Sequence, residues 1–397
     1  VLSIQPLENP ERVRWSLPPS KSHMIRWIAL SSQSESRTEL AFQGVPGRDI
    51  ESMATCMEKM GASIERGHQK WVIHGARGGP FLPPDVLDCG NSATTANFVT
   101  SIVACLDGPV EIDGDISLRR RDISPLTSAL RKLGCKVSSD HLPYIVSGPI
   151  IPGSIDINES VSSQTLSGMI ISSPGFSGEV EISLRGEAVS RPYRDLTMET
   201  SGLSGWKGYY DKTMILDSWM VGTPRKVEIP GEASLFPISL LFDNLHNTNS
   251  LDYCQFGESP IKDAIEESNS EDSSQVSLQD ASDIIAPLAA LMSIGNGGII
   301  VGASHARGKE SNRIMSTIRM LSSFGIQVEE NDEGLTVPGG QSPNQPKDPI
   351  DCENDHRLAM TAAVLATKVG GELSGHEICD VTHPGFFEMI LSHYQGR

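Results

Sequence analysis

One pattern recurs along this chain and limits what it can become: an apolar segment of helical period, a Gly, an alternating strand, a polar turn and a second strand. Clear copies are Met60-Gly61-Ala62-Ser63-Ile64 followed by Trp71-Val72-Ile73, and Leu133-Gly134-Cys135-Lys136-Val137 followed by Tyr144-Ile145-Val146. A third is Phe324-Gly325-Ile326-Gln327-Val328, running on to Leu335-Thr336-Val337. In each, the Gly stands where a helix C-terminus needs a left-handed residue, and the apolar residues after it alternate as a half-buried strand requires. The first two Gly are about seventy residues apart, and Leu203 to Trp206 begins a weaker copy after a similar interval. The spacing predicts an α/β chain of about six such units, three to a domain, with the strand order left open. At 397 residues the chain exceeds what one hydrophobic core usually supports, which fits two domains.

The charge balance narrows the partners. A formal net charge of -18, from 50 acidic and 32 basic residues, argues against nucleic acid and anionic membrane surfaces. A small anionic ligand remains compatible where the few Lys and Arg gather, so their positions carry the information. The seven Cys (Cys56, Cys89, Cys105, Cys135, Cys254, Cys352 and Cys379) are scattered singly, without C-x-x-C pairs or zinc-type His spacing, which suits a reducing compartment. The N-terminus shows no basic-then-apolar signal pattern. The most apolar stretch, Ile284 to Ala303, contains Pro287, Asn296 and four Gly and reads as a buried helix followed by a strand, not a membrane span. A soluble, cytoplasmic, monomeric protein is expected. The acidic run Glu266 to Ser274 reads as a solvated helix end and turn, and Pro338 to Pro349 as a surface loop.

Cations and hydroxyls concentrate at predicted helix starts. In Leu17-Pro-Pro-Ser-Lys-Ser-His-Met-Ile-Arg26, Lys21, Ser22 and Arg26 fall in the first turns of a helix, where the partial positive charge of the N-terminus disfavours them unless an anion joins. Asp88-Cys-Gly-Asn-Ser-Ala-Thr-Thr-Ala-Asn97 is a Gly turn opening an apolar helix, Phe98 to Leu106; it could cradle a phosphate, although capping alone explains Asn91 and Ser92 equally well. Three consecutive Arg, 119 to 121, precede a helix near Pro125. Ser160-Val-Ser-Ser-Gln-Thr165 opens an apolar helix to Ile171, with Val189-Ser-Arg-Pro-Tyr193 behind it. Arg307-Gly-Lys-Glu-Ser-Asn-Arg313 is read as the opening of a helix through Leu321, which would stack Lys309 and Arg313 as like charges at i,i+4, with Glu310 as compensation. Asn354-Asp-His-Arg357 opens an apolar helix, and His356 alone is read as structural. Each cluster has an ordinary reading as a cap or solvated face; together they suggest a polyanionic ligand.

In order, and over nearly the whole chain, these motifs resemble the enolpyruvylshikimate-phosphate synthases. Pro19 to Arg26 is similar to the family's opening substrate motif, Gly90-Asn-Ser-Ala-Thr94 to its G-N-A-G-T or G-N-A-A-T loop, Ser117 to Arg121 to S-L-x-x-R and Ser162-Ser-Gln164 to S-S-Q. Ser190 to Tyr193, Asp280 to Asp283, Lys309 to Arg313 and Asn354 to Arg357 complete the series. The resemblance implies two similar α/β domains, each an inside-out barrel of three βαβ-containing repeats: 20–226, and 1–19 plus 227–397, with crossings near Leu17 to Ser20 and Lys226 to Gly231 and the active site in the cleft. It implies that shikimate 3-phosphate meets Lys21, Ser22, Arg26, Ser162, Ser163, Gln164, Ser190, Asp283 and Lys309. Phosphoenolpyruvate would meet Lys21, Ala93, Arg121, Gln164, Arg313 and Arg357, the guanidinium forks suiting its carboxylate. Asp283 and Glu310 would be base and acid, with Lys21 catalytic beside them, and no cofactor or metal is implied.

The departures are equally specific. The family places a Lys three residues before a Pro near the C-terminus; in Cys379-Asp-Val-Thr-His-Pro384 that position is Val381, and His383 would share its face if the segment were extended. Asn97 stands where an Arg is common, Asp122 where a Pro follows Arg121, and Ile25 where Asn is frequent. Ala93 is the residue found in the glyphosate-tolerant class, so reduced sensitivity to that analogue is expected. The alternatives are a related transferase acting on UDP-N-acetylglucosamine, whose opening motif has Lys-Asn in place of Lys21-Ser22, and a phosphate-ligand-binding relative without turnover, motivated by Val381 and Asn97.

Overall fold

The computed structural model describes residues 1–253, 259–269 and 275–392, so Cys254 and the end of the acidic run lie outside the described residues. The chain divides into two compact units, Pro19–Ile229 and Val1–Pro18 with Pro230–Arg397. The first contains α1 (Lys21–Ser32), α2 (Arg48–Lys59), α3 (Ala93–Val103), α4 (Ser124–Lys132), α5 (Gln164–Ser172) and α6 (Arg191–Leu203). The second contains α7 (Phe236–His246), α8 (Pro260–Asn269), α9 (Ile285–Ile294), α10 (Arg313–Ser323), α11 (His356–Val369) and α12 (Phe386–Leu391). The division after Ile229 has a local cause: Lys226–Glu228 pairs in parallel with Arg37–Ala41, and Ile229 N donates to Ala41 O at 2.8 Å.

The repeat is visible in the sheets. Leu87–Asp88, α3 and Pro109–Asp113 form a βαβ unit with parallel strands, after which α4 leads into the hairpin Lys136–Val137 and Tyr144–Ser147. Gln275–Ser277, α9, Gly297–Val301, α10 and the hairpin Glu329–Glu330 and Leu335–Pro338 repeat that order in the second unit. Gly153–Asn158 with Val180–Arg185, and Ile350–Asp351 with Gly371–Ser374, supply further parallel pairs around α5 and α11. Arg37–Ala41 receives its parallel neighbour, Lys226–Glu228, from the far end of its unit.

The glycines act as the sequence requires. Gly61, Gly134, Gly205 and Gly325 have φ of +105°, +86°, +111° and +73°. In each case the next amide reaches back to a carbonyl in the last helical turn, Ala62 to Met57, Cys135 to Leu130, Trp206 to Ser201 and Ile326 to Leu321, at 2.9–3.1 Å. This is the Schellman closure, and it includes the weaker fourth copy. The third copy departs in one respect: its strand begins at Glu329, not Ile326. The side chain of Gln341 pairs with both backbone groups of Gln327, at 2.7 and 2.9 Å, and takes the place of a ladder partner.

The apolar stretch at 284–303 is a helix then a strand, α9 and Gly297–Val301, as its pattern predicts. Core helices are buried nearly all round: α5 from Thr165 to Ser172, and α11 from His356 to Thr367. The sheets turn one face outward, exposing Ile145, Ile215 and Ile299. Buried hydroxyls on these helices satisfy themselves locally, as Ser101 Oγ does on Asn97 O at 2.8 Å and Thr361 Oγ1 on Arg357 O at 2.7 Å. Among the described residues no helix is long and apolar enough to cross a membrane.

Candidate active site

In the unit Pro19–Ile229, Ser20 stands at the N-cap of α1 but caps no amide with its side chain; its Oγ lies 2.9 Å from His23 Nδ1. Lys21, the first helical residue, sits at the positive end of a helix with no acidic residue in its own first turn. The sequence reading missed its counter-charge, Asp49, which is 2% exposed in the first turn of α2 and holds Lys21 Nζ at 2.9 Å. Ser22 follows on the same turn and its carbonyl accepts from Arg26 at 2.9 Å. Arg26 is 2% exposed, and it also donates to Thr197 Oγ1 at 2.7 Å and Tyr193 O at 2.8 Å, tying α1 to α6. Burial lowers its pKa to about 10. Ser190, just before α6, has φ of 54°, a left-handed conformation held at the helix entry.

The Gly loop begins its helix earlier than the apolar pattern suggests, at Ala93 rather than Phe98, because Ser92 Oγ accepts from Thr95 N at 3.2 Å. Ala93 and Thr94 are thus a half-buried first turn. Gly90 has φ of +56°, and a Cβ there would meet Ser52 Oγ at 2.7 Å. Asn91 joins Asp115, at 2.7 Å, to Arg121 Nη2, at 3.1 Å. Of the other two consecutive Arg, Arg119 forms a fork with Asp113 at 2.6 and 2.8 Å, and Arg120 is exposed. Gln164, at the first position of α5, donates to Thr94 Oγ1 and accepts from Asn97 Nδ2, both at 3.2 Å, so the starts of α3 and α5 meet. Ser162 Oγ accepts from Gln164 N at 3.1 Å, and Ser163 is buried as the N-cap. Asn97, found where an Arg is common, serves as the link between these helices.

In the second unit the helix expected from Arg307 begins at Arg313. Asn312 Oδ1 caps Met315 N at 3.3 Å, and Lys309 is extended, with ψ of -154°. Lys309 and Arg313 therefore do not stack along one helix face; instead both meet Asp283, which lies between the two cations. Arg313 is 1% exposed and holds three carboxylates: Asp355 Oδ2 at 2.7 Å, Asp283 Oδ1 at 2.6 Å, and Glu310 through Nη2. Lys309 Nζ also approaches Asp283, at 3.5 Å. Burial alone would depress the Arg313 guanidinium, but the charges of Asp355, Glu310 and Asp283 outweigh it and hold it well above its ordinary range. The structure thus joins both carboxylates singled out in the sequence to one guanidinium, beside a third, Asp355, which also caps α11 by accepting from Arg357 N at 3.0 Å. His356 is buried in that first turn, and Arg357, 3% exposed, binds Ser234.

The segment carrying Val381 is not extended. Residues His376–Val381 form a 3-10 helix, which removes the shared face that would have let His383 stand in for the family's lysine. Val381 is buried, and His383 packs against the Phe386 ring at 5.6 Å. Burial lowers the His383 pKa to about 4, so it carries no charge at neutral pH. Its folded-state pKa lies below the ordinary value of 6.5, so its contribution to stability is present above pH 6.5 and is lost as pH falls toward 4. His383→Phe is expected to leave stability at pH 7 nearly unchanged and to flatten the slope between those values by up to about 1.4 kcal/mol per pH unit. Urea titrations across that range check this; an unchanged slope would contradict the burial argument.

Alternating α/β repeats in two units, one presenting cations and hydroxyls at helix starts and the other two carboxylates on one guanidinium, define an enolpyruvyl transferase. More closely, the chain belongs to the EPSP synthase (3-phosphoshikimate 1-carboxyvinyltransferase) family, whose model matches residues 11–201 and 245–390. Its sequence is 28% identical to the 3-phosphoshikimate 1-carboxyvinyltransferase of Methanosarcina mazei, over 94% of this chain and 93% of that protein. It is 30% identical to the one from Methanothrix thermoacetophila, with the same coverage of 94% and 93%. Among solved structures it is similar to EPSP synthase from Acinetobacter baumannii, with a TM-score of 0.76 at 18% identity over 98% of this chain and 97% of that one. It is also similar to the enolpyruvyl transferase NikO from Streptomyces tendae, with a TM-score of 0.70 at 11% identity over 99% and 97%. The fold is the two-domain inside-out α/β architecture of these neighbours.

Proposed function

We propose that this chain transfers the carboxyvinyl group of phosphoenolpyruvate to the 5-hydroxyl of shikimate 3-phosphate, releasing phosphate, as a step of aromatic amino acid biosynthesis. The observation that carries the reading is the Asp283–Arg313–Glu310 cluster in a chain of this family. Asp283 takes the proton of the attacking hydroxyl while Glu310 delivers one to the methylene carbon, so a C–O bond and a C–H bond form together. Phosphate then leaves the resulting tetrahedral carbon with the electron pair of its C–O bond and takes up the proton held by Asp283, while a methyl proton returns to Glu310 and the double bond is regenerated. Proton transfers alone balance these steps.

Lys21, Ser22, Arg26, Ser162, Ser163, Gln164, Ser190, Asp283 and Lys309 are assigned to shikimate 3-phosphate. Lys21, Ala93, Arg121, Gln164, Arg313 and Arg357 are assigned to phosphoenolpyruvate. Because Arg313 already holds three carboxylates, its share in binding a fourth requires that one of them yield, and Arg357 is the readier ligand. With Val381 in place of a lysine, the phosphate of phosphoenolpyruvate falls to Lys21 and Arg121. The active protein is a cytoplasmic monomer in this reading.

The test is phosphate release from phosphoenolpyruvate with each acceptor in turn. Release with shikimate 3-phosphate but not with UDP-N-acetylglucosamine is expected; the reverse pattern would overturn the assignment. One observation, the buried Val381, favours a second reading in which both ligands bind without turnover, and binding with no release would select it. Ala93→Gly is expected to strengthen inhibition by glyphosate about tenfold or more, since the methyl at this helix start hinders a longer analogue more than the substrate. Potent inhibition, competitive with phosphoenolpyruvate and equal in both forms, would contradict that.

A further inference from the structure

Two guanidiniums in the second unit are proposed to meet the substrate carboxylate, and their surroundings differ. Every nitrogen of Arg313 is on a carboxylate. Arg357 is held differently: Nη1 donates to Ser234 O at 3.0 Å and Nη2 to Ser234 Oγ at 2.5 Å, while its buried Nε has no hydrogen-bond partner among the described residues. A guanidinium presents five N–H groups in a rigid planar fork. With the end of the fork on Ser234, the side edge formed by Nε and the second hydrogen of a neighbouring Nη remains, and that edge binds a planar carboxylate through two parallel bonds. An N–H this deeply buried is costly to leave without a partner, which makes the edge a binding feature.

Ser234 is itself fixed. Its hydroxyl donates to Glu232 Oε1, and its amide donates to the same oxygen at 3.3 Å. Glu232 is 7% exposed and caps the 3-10 turn Ala233–Leu235, and its own amide donates to Pro18 O at 2.8 Å. A serine hydroxyl free to rotate could turn its proton toward the guanidinium. Glu232 accepts that hydrogen bond, which leaves the oxygen lone pairs facing Arg357. The charge of Glu232 thereby reaches Arg357 through one hydroxyl, and among the described residues no salt bridge joins Arg357 to a carboxylate. A direct ion pair would occupy the edge the substrate needs; the relay balances the buried cation and leaves Nε without a hydrogen-bond partner among the described residues.

We propose that Ser234, oriented by Glu232, is a positioning residue that sets how tightly Arg357 takes the carboxylate of phosphoenolpyruvate. This rests on the assignment of Arg357 above and extends it to residues that no motif of the sequence singled out. The test compares Ser234→Ala, Ser234→Thr, Glu232→Gln and Arg357→Ala in steady-state kinetics, with thermal melts as a check on folding. Ser234→Ala is expected to raise KM for phosphoenolpyruvate about tenfold or more, as for loss of a hydrogen bond to a charged group. KM for shikimate 3-phosphate should stay within about twofold, and Ser234→Thr, which keeps the hydroxyl, should restore most of the loss. Glu232→Gln should shift the same KM in the same direction by less, and it carries the test if Ser234→Ala does not fold. A purely structural role would move both KM values together, and that result would overturn the proposal. So would an unchanged KM for phosphoenolpyruvate in Ser234→Ala alongside a large rise in Arg357→Ala. An unchanged KM in Arg357→Ala would instead remove the assignment of Arg357 on which the proposal stands.

Discussion

Glu310→Gln and Asp283→Asn are each expected to lower kcat for phosphate release by on the order of 10²–10⁴-fold while both substrates still bind. Each variant keeps the shape of the side chain and an oxygen that can accept from Arg313, and each loses the ability to exchange a proton. The surroundings make the test clean. Asp283, Glu310 and Asp355 all meet Arg313, so each variant leaves two carboxylates on that guanidinium. Both variants should therefore stay folded and melt near the temperature of the parent. An active Glu310→Gln would show that the methylene proton comes from elsewhere. A variant that is inactive because it has unfolded would be exposed by the melt.

The second large effect concerns the guanidinium itself. Arg313→Leu is expected to destabilise the unit that contains it by roughly 3–5 kcal/mol, because removing one partner of a buried charge network takes the guanidinium from the fully buried Asp355. Asp355 is fully buried, and Glu310 and Asp283 are held beside it. With Arg313 gone, these carboxylates repel one another inside the protein. Lowering the pH should recover part of the loss as they take up protons. Urea unfolding at pH 7 and pH 5 checks both points. A change within about 0.5 kcal/mol, the range of ordinary surface substitutions, would mean that Arg313 does not hold the cluster together.

How much of this was legible in the sequence depended on the separation of the partners. The repeat could be read because a Gly after a helix and an alternating strand after the Gly are both local, and the same backbone closure recurs at Gly61, Gly134, Gly205 and Gly325. The start of α11 could be read because its cap, Asp355, lies beside it. The start of α10 was misplaced because Asn312, not the run of charge before it, supplies the cap. The strand after Gly325 was misplaced because Gln341, fourteen residues on, occupies the backbone of Gln327. Asp49 and Ser234 were missed as partners of Lys21 and Arg357, being 28 and 123 residues away in sequence. A single chain shows which residues carry charge; which charge each one meets is set by packing. The position of His383 is non-local in the same way, since it turns on whether residues 376–381 are extended or, as here, a 3-10 helix.

The most direct measurement of the central claim is the reaction run in D2O with unlabelled phosphoenolpyruvate and shikimate 3-phosphate, following phosphate release and the mass of the enol ether together. Addition and elimination through Glu310 place a deuterium on the methylene carbon and later remove one of the three methyl hydrogens. The account therefore predicts phosphate release matched by deuterium in the vinyl group of the product, with both signals lost in Glu310→Gln. Phosphate released without deuterium in the product would contradict it, because the bond would then have broken without protonation of that carbon.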